Sequence, residues 1–264
     1  FQVNKSVLAG AVALASLALA SATQAQTITN LSSQGWTSPA SEDTGGGSGA
    51  ITTTAPRSGN GSLELGGDRV RVELNDMYAA PNGSNNLGTL SQWTDLSMDY
   101  QIALDSTTSI SPLAGPALRI DAWVGGTKTE FVWEQNYQPG IFAGVAAIGD
   151  WNVTAPGGNF YVAAGASTDV NNNKSLTDWI SSGFISGDAT VTSINVGLGS
   201  GISGGGTHPH EFVDNIRGDG HDFNFEVATG AVPEPSSWAL MIVGFAGIGA
   251  GLRRSRKAST LAAA

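Results

Sequence analysis

Residues 117–134 read ALRIDAWV, then two glycines, then TKTEFVWE. Two runs rich in β-branched and aromatic residues joined by Gly125-Gly126 predict a hairpin. Glycine alone tolerates positive φ at both central positions of a two-residue turn. That turn sets the pairing: Val124 faces Thr127, Trp123 faces Lys128, Asp121 faces Glu130 and Leu118 faces Trp133. Side chains alternate along a strand, so Leu118, Ile120, Ala122, Val124, Phe131 and Trp133 share one face. Such a face cannot stay in water, and a second layer must cover it. The opposite face carries Arg119, Asp121, Trp123, Lys128, Glu130, Val132 and Glu134.

The same reading extends along the chain. SLEL, VRVEL, LSMDYQIAL, WNVTA, NFYVAAG, TVTSINVGL, HEFVDNIRG and HDFNFEV are short strand-like runs separated by Gly, Pro and Asn clusters. Phe223, Phe225 and Val227 alternate inward, as a closing core strand requires. The one predicted helix is short, NKSLTDWISSG, with Ser175 as its N-cap and Gly183 beyond its end. Neither repeats nor heptads occur. About ten strands with almost no helical period predict an all-β fold, an antiparallel β-sandwich over residues 61–230. Residues 26–60, rich in Ser, Thr and Gly, read as a loose lead-in with one strand near Ala50–Thr54.

The ends follow a different grammar. Lys5, an apolar stretch from Val7 to Ala20 and then SATQA predict a secretory signal peptide over residues 1–25. Its helix would be cut after Ala25, with Ala22 as the alternative, by signal peptidase. At the other end Trp238–Leu252 is uncharged and mostly apolar. As a helix it would span roughly 22 Å, against a hydrocarbon core of about 30 Å. Trp238 suits the outer interface, and Arg253, Arg254, Arg256 and Lys257 form a cytoplasmic membrane stop. A single short transmembrane helix over 238–252 and a cytoplasmic tail over 258–264 are therefore expected.

Between these signals, residues 26–232 hold seven basic and 21 acidic residues, a net of −14. Such a domain is repelled by phosphates, which argues against nucleic acid as a partner. No cysteine occurs in the chain, which excludes disulfides and thiolate chemistry.

VPEPSSWALMIVGFAGIGAGLRRSRK, within residues 231–257, resembles the PEP-CTERM sorting signal of Gram-negative bacteria. The marks are Pro233-Glu234-Pro235, an aromatic-led apolar segment and a basic stop, in that order. The same tail is often filed as an ice-binding protein C-terminal domain, a label without bearing on ice in this chain. The resemblance implies that an exosortase-type membrane peptidase recognises Pro233, Glu234 and Pro235 and removes the tail. Gly197-Leu198-Gly199-Ser200-Gly201, Phe212-Val213-Asp214-Asn215-Ile216 and Phe223-Asn224-Phe225-Glu226 are similar to the closing strands of jelly-roll domains that precede such tails. This implies a jelly-roll-like form of the sandwich.

Arg119, Asp121, Trp123, Lys128 and Glu130 form the candidate ligand face, because an aromatic ring among hydrogen-bonding groups can stack a sugar. The competing reading has Lys128 folded over Trp123, or a loop covering the ring. No Ser-His-Asp pattern, phosphate loop or HExxH motif appears. A glycan hydrolase would have to use Asp121, Glu130 or Glu134. Glu130 and Glu134 on one strand face lie roughly 13 Å apart, too far for a carboxylate pair that wants about 5–9.5 Å. His208, His210 and His221 read as a solvated cluster before a metal site. Structural calcium is the expected cofactor if any, on Asp214 and Asp222 or on the loop Asp169–Asn173. Arg217-Gly218-Asp219 reads as a turn. The expectation is an exported, non-enzymatic protein of the cell surface or extracellular matrix that contacts polysaccharide. A purely structural surface protein is the remaining alternative.

Overall fold

The computed structural model describes residues 24–107, 115–135, 138, 147–154, 156–164, 172–198 and 208–228. Fourteen strands lie among them: β1 (Gln24–Ile28), β2 (Trp36–Thr37), β3 (Ser48–Thr52), β4 (Ser62–Gly66), β5 (Val70–Leu74), β6 (Ser97–Ile102), β7 (Ala117–Val124), β8 (Thr127–Trp133), β9 (Trp151–Val153), β10 (Asn159–Ala164), β11 (Lys174–Ser175), β12 (Thr190–Leu198), β13 (His210–Gly218) and β14 (His221–Phe225). Helix α1 (Leu176–Ser181) follows its expected N-cap, where the Ser175 hydroxyl accepts from the Asp178 N–H at 3.0 Å. Gly183 stands beyond its end at a φ of +74°.

The strands form two seven-stranded sheets. One runs β11-β10-β8-β7-β12-β5-β2, antiparallel throughout. The other is built on β13. On one side of it lie β6 and then β9; on the other, β4 and β3 cover its first half, and β14 and β1 its second. Only β1 and β14 pair in parallel among the described strands. All ten expected runs are strands, and the β7–β8 hairpin has the register that Gly125-Gly126 predicts, with φ of +57° and +85° at the turn.

Alternation places Leu63, Leu65, Met98, Tyr100, Val213 and Phe225 of one sheet against Val72, Leu118, Ile120, Phe131, Val162 and Ile194 of the other, all within one core. Each large apolar side chain so buried contributes about 1.5–3 kcal/mol relative to exposure. Val124 departs from the expected core face: in the last pair before the Gly125-Gly126 turn, at the hairpin tip, it is 44% exposed.

Residues 26–60 are no loose lead-in. They supply most of β1 and all of β2 and β3, and Ile28 and Trp36 are fully buried. Trp36 meets Phe223 and Phe225 edge-on, with centroids 5.5 and 5.2 Å apart. The apolar payload of this stretch sits in isolated residues, so its Ser, Thr and Gly content conceals its place in the core. Among the described residues no helix is long and apolar enough to cross a membrane. The expected signal helix (apart from Gln24 and Ala25), the 238–252 segment and the 258–264 tail lie outside the described residues.

Candidate ligand face and sorting tail

The outer face of the β7–β8 hairpin belongs to a row set by strand register. Glu73 of β5, Asn195 of β12, Arg119 of β7, Val132 of β8 and Tyr161 of β10 lie side by side. The row beside it carries Ser193, Asp121 and Glu130. Period-two alternation puts all these side chains on the face away from the core.

That face is covered. After β5 the chain reverses at Asn75, whose φ is +61° and whose Nδ2 donates to the Thr192 carbonyl at 3.2 Å. Met77 follows, 2% exposed, with its N–H on Glu73 Oε2 at 3.2 Å. Lys128 Nζ donates to the Met77 carbonyl at 3.0 Å and stands 5.1 Å from the Tyr78 ring centroid. The Tyr78 hydroxyl in turn donates to Glu42 at 2.8 Å.

Beneath this cover lies a layer of ion pairs. Lys128 Nζ is 3.1 Å from Asp121 Oδ1 and 3.7 Å from Glu130 Oε2. Glu130 Oε1 meets Arg119 at 3.5 Å and Arg71 at 3.8 Å. Arg71 continues to Glu42, which also binds Arg69. Burial pushes the Asp121 carboxyl up to about 7, with Lys128 opposing it, and pushes Glu73 up to about 7 as well. Glu134 is also raised by burial, against the pull of Arg119 and a hydrogen bond with Tyr161.

The expected sugar platform is therefore corrected. Asp121 is fully buried, Arg119 is 3% exposed and Glu130 7%. Trp123 is half-buried, and its Nε1 donates to Thr192 Oγ1 at 3.0 Å, where a register shift in β12 brings that hydroxyl across. Lys128 does lie over an aromatic ring, but the ring is Tyr78. A hydrolase built on Asp121 and Glu130 would have to work through carboxylates turned away from solvent and engaged by Lys128. Sequence reasoning missed Glu42, Arg71, Glu73 and Tyr78. Alternation in VRVEL does put Arg71 and Glu73 on the outer face, but nothing local reports which loop folds over them.

The calcium candidates serve other ends. Asp214 accepts backbone N–H groups from Asn215 and Phe225, each at 2.8 Å, and from Ser58 at 3.3 Å. It pins the kink at Asn215, whose φ is +47°. Asp222 pairs with Arg217 at 3.5 Å. Among the described residues, no three His, Cys, Asp or Glu side chains converge as a metal set. The Asp169–Asn173 loop lies mostly outside the described residues. The three histidines do not meet as a cluster: His208 is exposed in a loop, His210 bridges Glu64 and Asp105, and His221 stacks with Trp93 and Phe223. Arg217-Gly218-Asp219 leads into the β13–β14 turn, with Arg217 held by Asp99 at 2.7 Å.

Residues 231–257 match the PEP-CTERM protein-sorting motif. No curated protein matches the chain. Among solved structures, the chain is similar to a carbohydrate-binding module of the β-sandwich superfamily, at 12% identity and a TM-score of 0.35, covering 70% of this chain and 57% of that one. A family 30 carbohydrate-binding module aligns at 14% identity and a TM-score of 0.38, over 69% of this chain and 88% of that chain. An agarase aligns at 9% identity and a TM-score of 0.32, over 76% of this chain and 23% of its own. The sorting motif marks the chain as an exported protein, held transiently in the membrane.

Proposed function

We propose that this PEP-CTERM-tagged chain is a non-enzymatic protein of the cell surface or extracellular matrix that contacts neutral carbohydrate. The observation that carries the reading is the sorting motif at 231–257, placed just after a compact unit that ends at Val227. The last described strand closes at Phe225, eight residues ahead of Pro233, Glu234 and Pro235, where the peptidase would act. Arg253, Arg254, Arg256 and Lys257 would retain the tail in the membrane until that cut. Signal peptidase and an exosortase-type peptidase are the processing partners in this scheme.

The locked state of Asp121 and Glu130 favours a non-catalytic domain over a glycan hydrolase. The test is to express the full chain and a variant lacking residues 231–257 in an exosortase-bearing host, then fractionate the cells. The full chain should reach the surface or matrix in a shortened form, and the variant should not. Identical distribution of the two would overturn the sorting role. The mature exported protein should be retarded in gels containing neutral polysaccharide, and release of reducing sugar from any of these polymers would overturn the non-enzymatic reading.

A further inference from the structure

A second surface carries what the hairpin face does not. Where β1, β14 and the end of β5 approach the segment before Trp93, the protein has a cleft of about 400 Å³. Its volume falls within the ~300–1,000 Å³ range of small-molecule sites. The floor is apolar: Leu74, Leu87 and the edges of Trp93 and Phe223. Trp93 cannot swing away, because its Nε1 donates to the Leu87 carbonyl at 2.9 Å. His221 stacks in parallel between the two aromatic rings, its centroid 6.0 Å from Trp93 and 5.6 Å from Phe223, each at 11°.

The rim is polar and has spare capacity. Among the described residues, Gln26, Asp219 and His221 make no side-chain hydrogen bond or ion pair, and Asn86 uses its Oδ1, on the Gly88 N–H at 2.9 Å. Asp219 sits in the left-handed region at a φ of +47°, in the turn that joins β13 to β14, which brings its carboxylate to the cleft. A carboxylate, an imidazole and two amides thus converge over an apolar floor.

From this geometry we infer that the cleft binds one neutral hexopyranose unit of a polysaccharide. A pyranose offers an apolar C–H face to the floor and hydroxyls to the rim. The carboxylate of Asp219 accepts from hydroxyls, and the Asn86 and Gln26 amides donate to them. Charge decides against uronic or sulfated sugars. No Lys or Arg stands among the described residues that line the cleft, Asp219 repels anions, and the surrounding domain is strongly acidic. The inference rests on the proposed carbohydrate contact and gives it a location away from Trp123.

The experiment is affinity electrophoresis of the mature protein in gels holding hydroxyethylcellulose, laminarin, galactomannan or, as the anionic control, alginate. Asp219→Asn keeps a residue suited to the left-handed turn but weakens the acceptor. Gln26→Trp fills the mouth from an exposed strand position, and Trp123→Ala is the control. Unchanged melting curves establish that each variant is folded. Asp219→Asn, which gives up one charge-assisted hydrogen bond, and Gln26→Trp, which blocks the mouth, should each weaken retardation by a neutral polymer about tenfold or more, while Trp123→Ala retains it. Folded variants that bind like wild type would overturn this site and leave the carbohydrate reading standing. A wild-type protein that ignores all three neutral polymers would overturn both, and a preference for alginate would overturn the neutral assignment.

Discussion

His210 Nε2 lies 2.9 Å from Glu64 Oε1, diagonally across the β13–β4 pair, while its Nδ1 lies 2.7 Å from Asp105 Oδ1. A ring between two carboxylates donates at both nitrogens only as imidazolium. Burial works against that charge, but the hydrogen bonds to Asp105 and Glu64 outweigh it and hold the ring's pKa above its ordinary value. A raised folded pKa contributes stability that is present below the unfolded value, about 6.5, and is lost as pH rises through the folded one. His210→Gln should therefore lower Tm by about 2–4 °C at pH 6. At pH 9 the drop should be clearly smaller, and equal drops at both pH values in calorimetry would contradict the clamp.

Glu211, the next residue, faces the core beside Leu65 and Ile102, is fully buried, and has no hydrogen-bond partner among the described residues on either carboxylate oxygen. Burial raises its pKa well above the usual carboxylate range, so the folded state holds the proton. Folding is then favoured below the unfolded pKa, and this contribution drains away as pH rises, at about 1.4 kcal/mol per pH unit until the folded pKa is reached. Glu211→Gln cannot ionise. Its stability in urea should match wild type near pH 4 and exceed it increasingly towards pH 8. A constant difference across that range would refute the assignment.

Lys128 neutralises two buried acids at once. Lys128→Met keeps the stem but leaves Asp121 and Glu130 with less compensation, at a cost of roughly 3 kcal/mol at pH 8. Asp121 already titrates near 7, so at pH 5 it escapes by protonation and the cost should shrink. Paired urea melts at the two pH values measure this directly.

The first strand bears on processing. Gln24 and Ala25 pair with His221 and Asp222. Cleavage after Ala25 would remove two of the five residues of β1, whereas cleavage after Ala22 leaves the strand whole and follows an Ala-Ser-Ala sequence. Intact mass of the exported protein should place its N-terminus at Thr23. A start at Gln26 would show that the outer part of β1 is dispensable.

The β7–β8 hairpin was legible because its register depends on two adjacent glycines and its faces on alternation, both local properties. Trp123 was not, because its indole is engaged by Thr192, distant in sequence and joined to it only by folding. The same holds for the cleft: Gln26, Asn86, Asp219 and His221 come from three separate parts of the chain and share no motif. Glu211 was open to reading, since alternation with His210 and Phe212 puts it beside Val213 on the core face. A lone acid in an apolar pattern is easily passed over as surface charge. Ile28 and Trp36 were hidden in a polar stretch that gives no periodic signal.

The parallel pairing of the first and last described strands has a mechanical consequence. Because β1 and β14 run in the same direction, the chain enters at one end of this ribbon and leaves at the other. Tension between the two ends pulls along the strand axis, so the bonds from Gln24–His221 to Ile28–Phe225 are loaded together in shear. The further bond from the Glu226 N–H to the Ile28 carbonyl at 2.9 Å shares that load. An antiparallel closure would unzip one rung at a time. Held at its C-terminal side, the domain would meet a tug on its other end in shear rather than by unzipping.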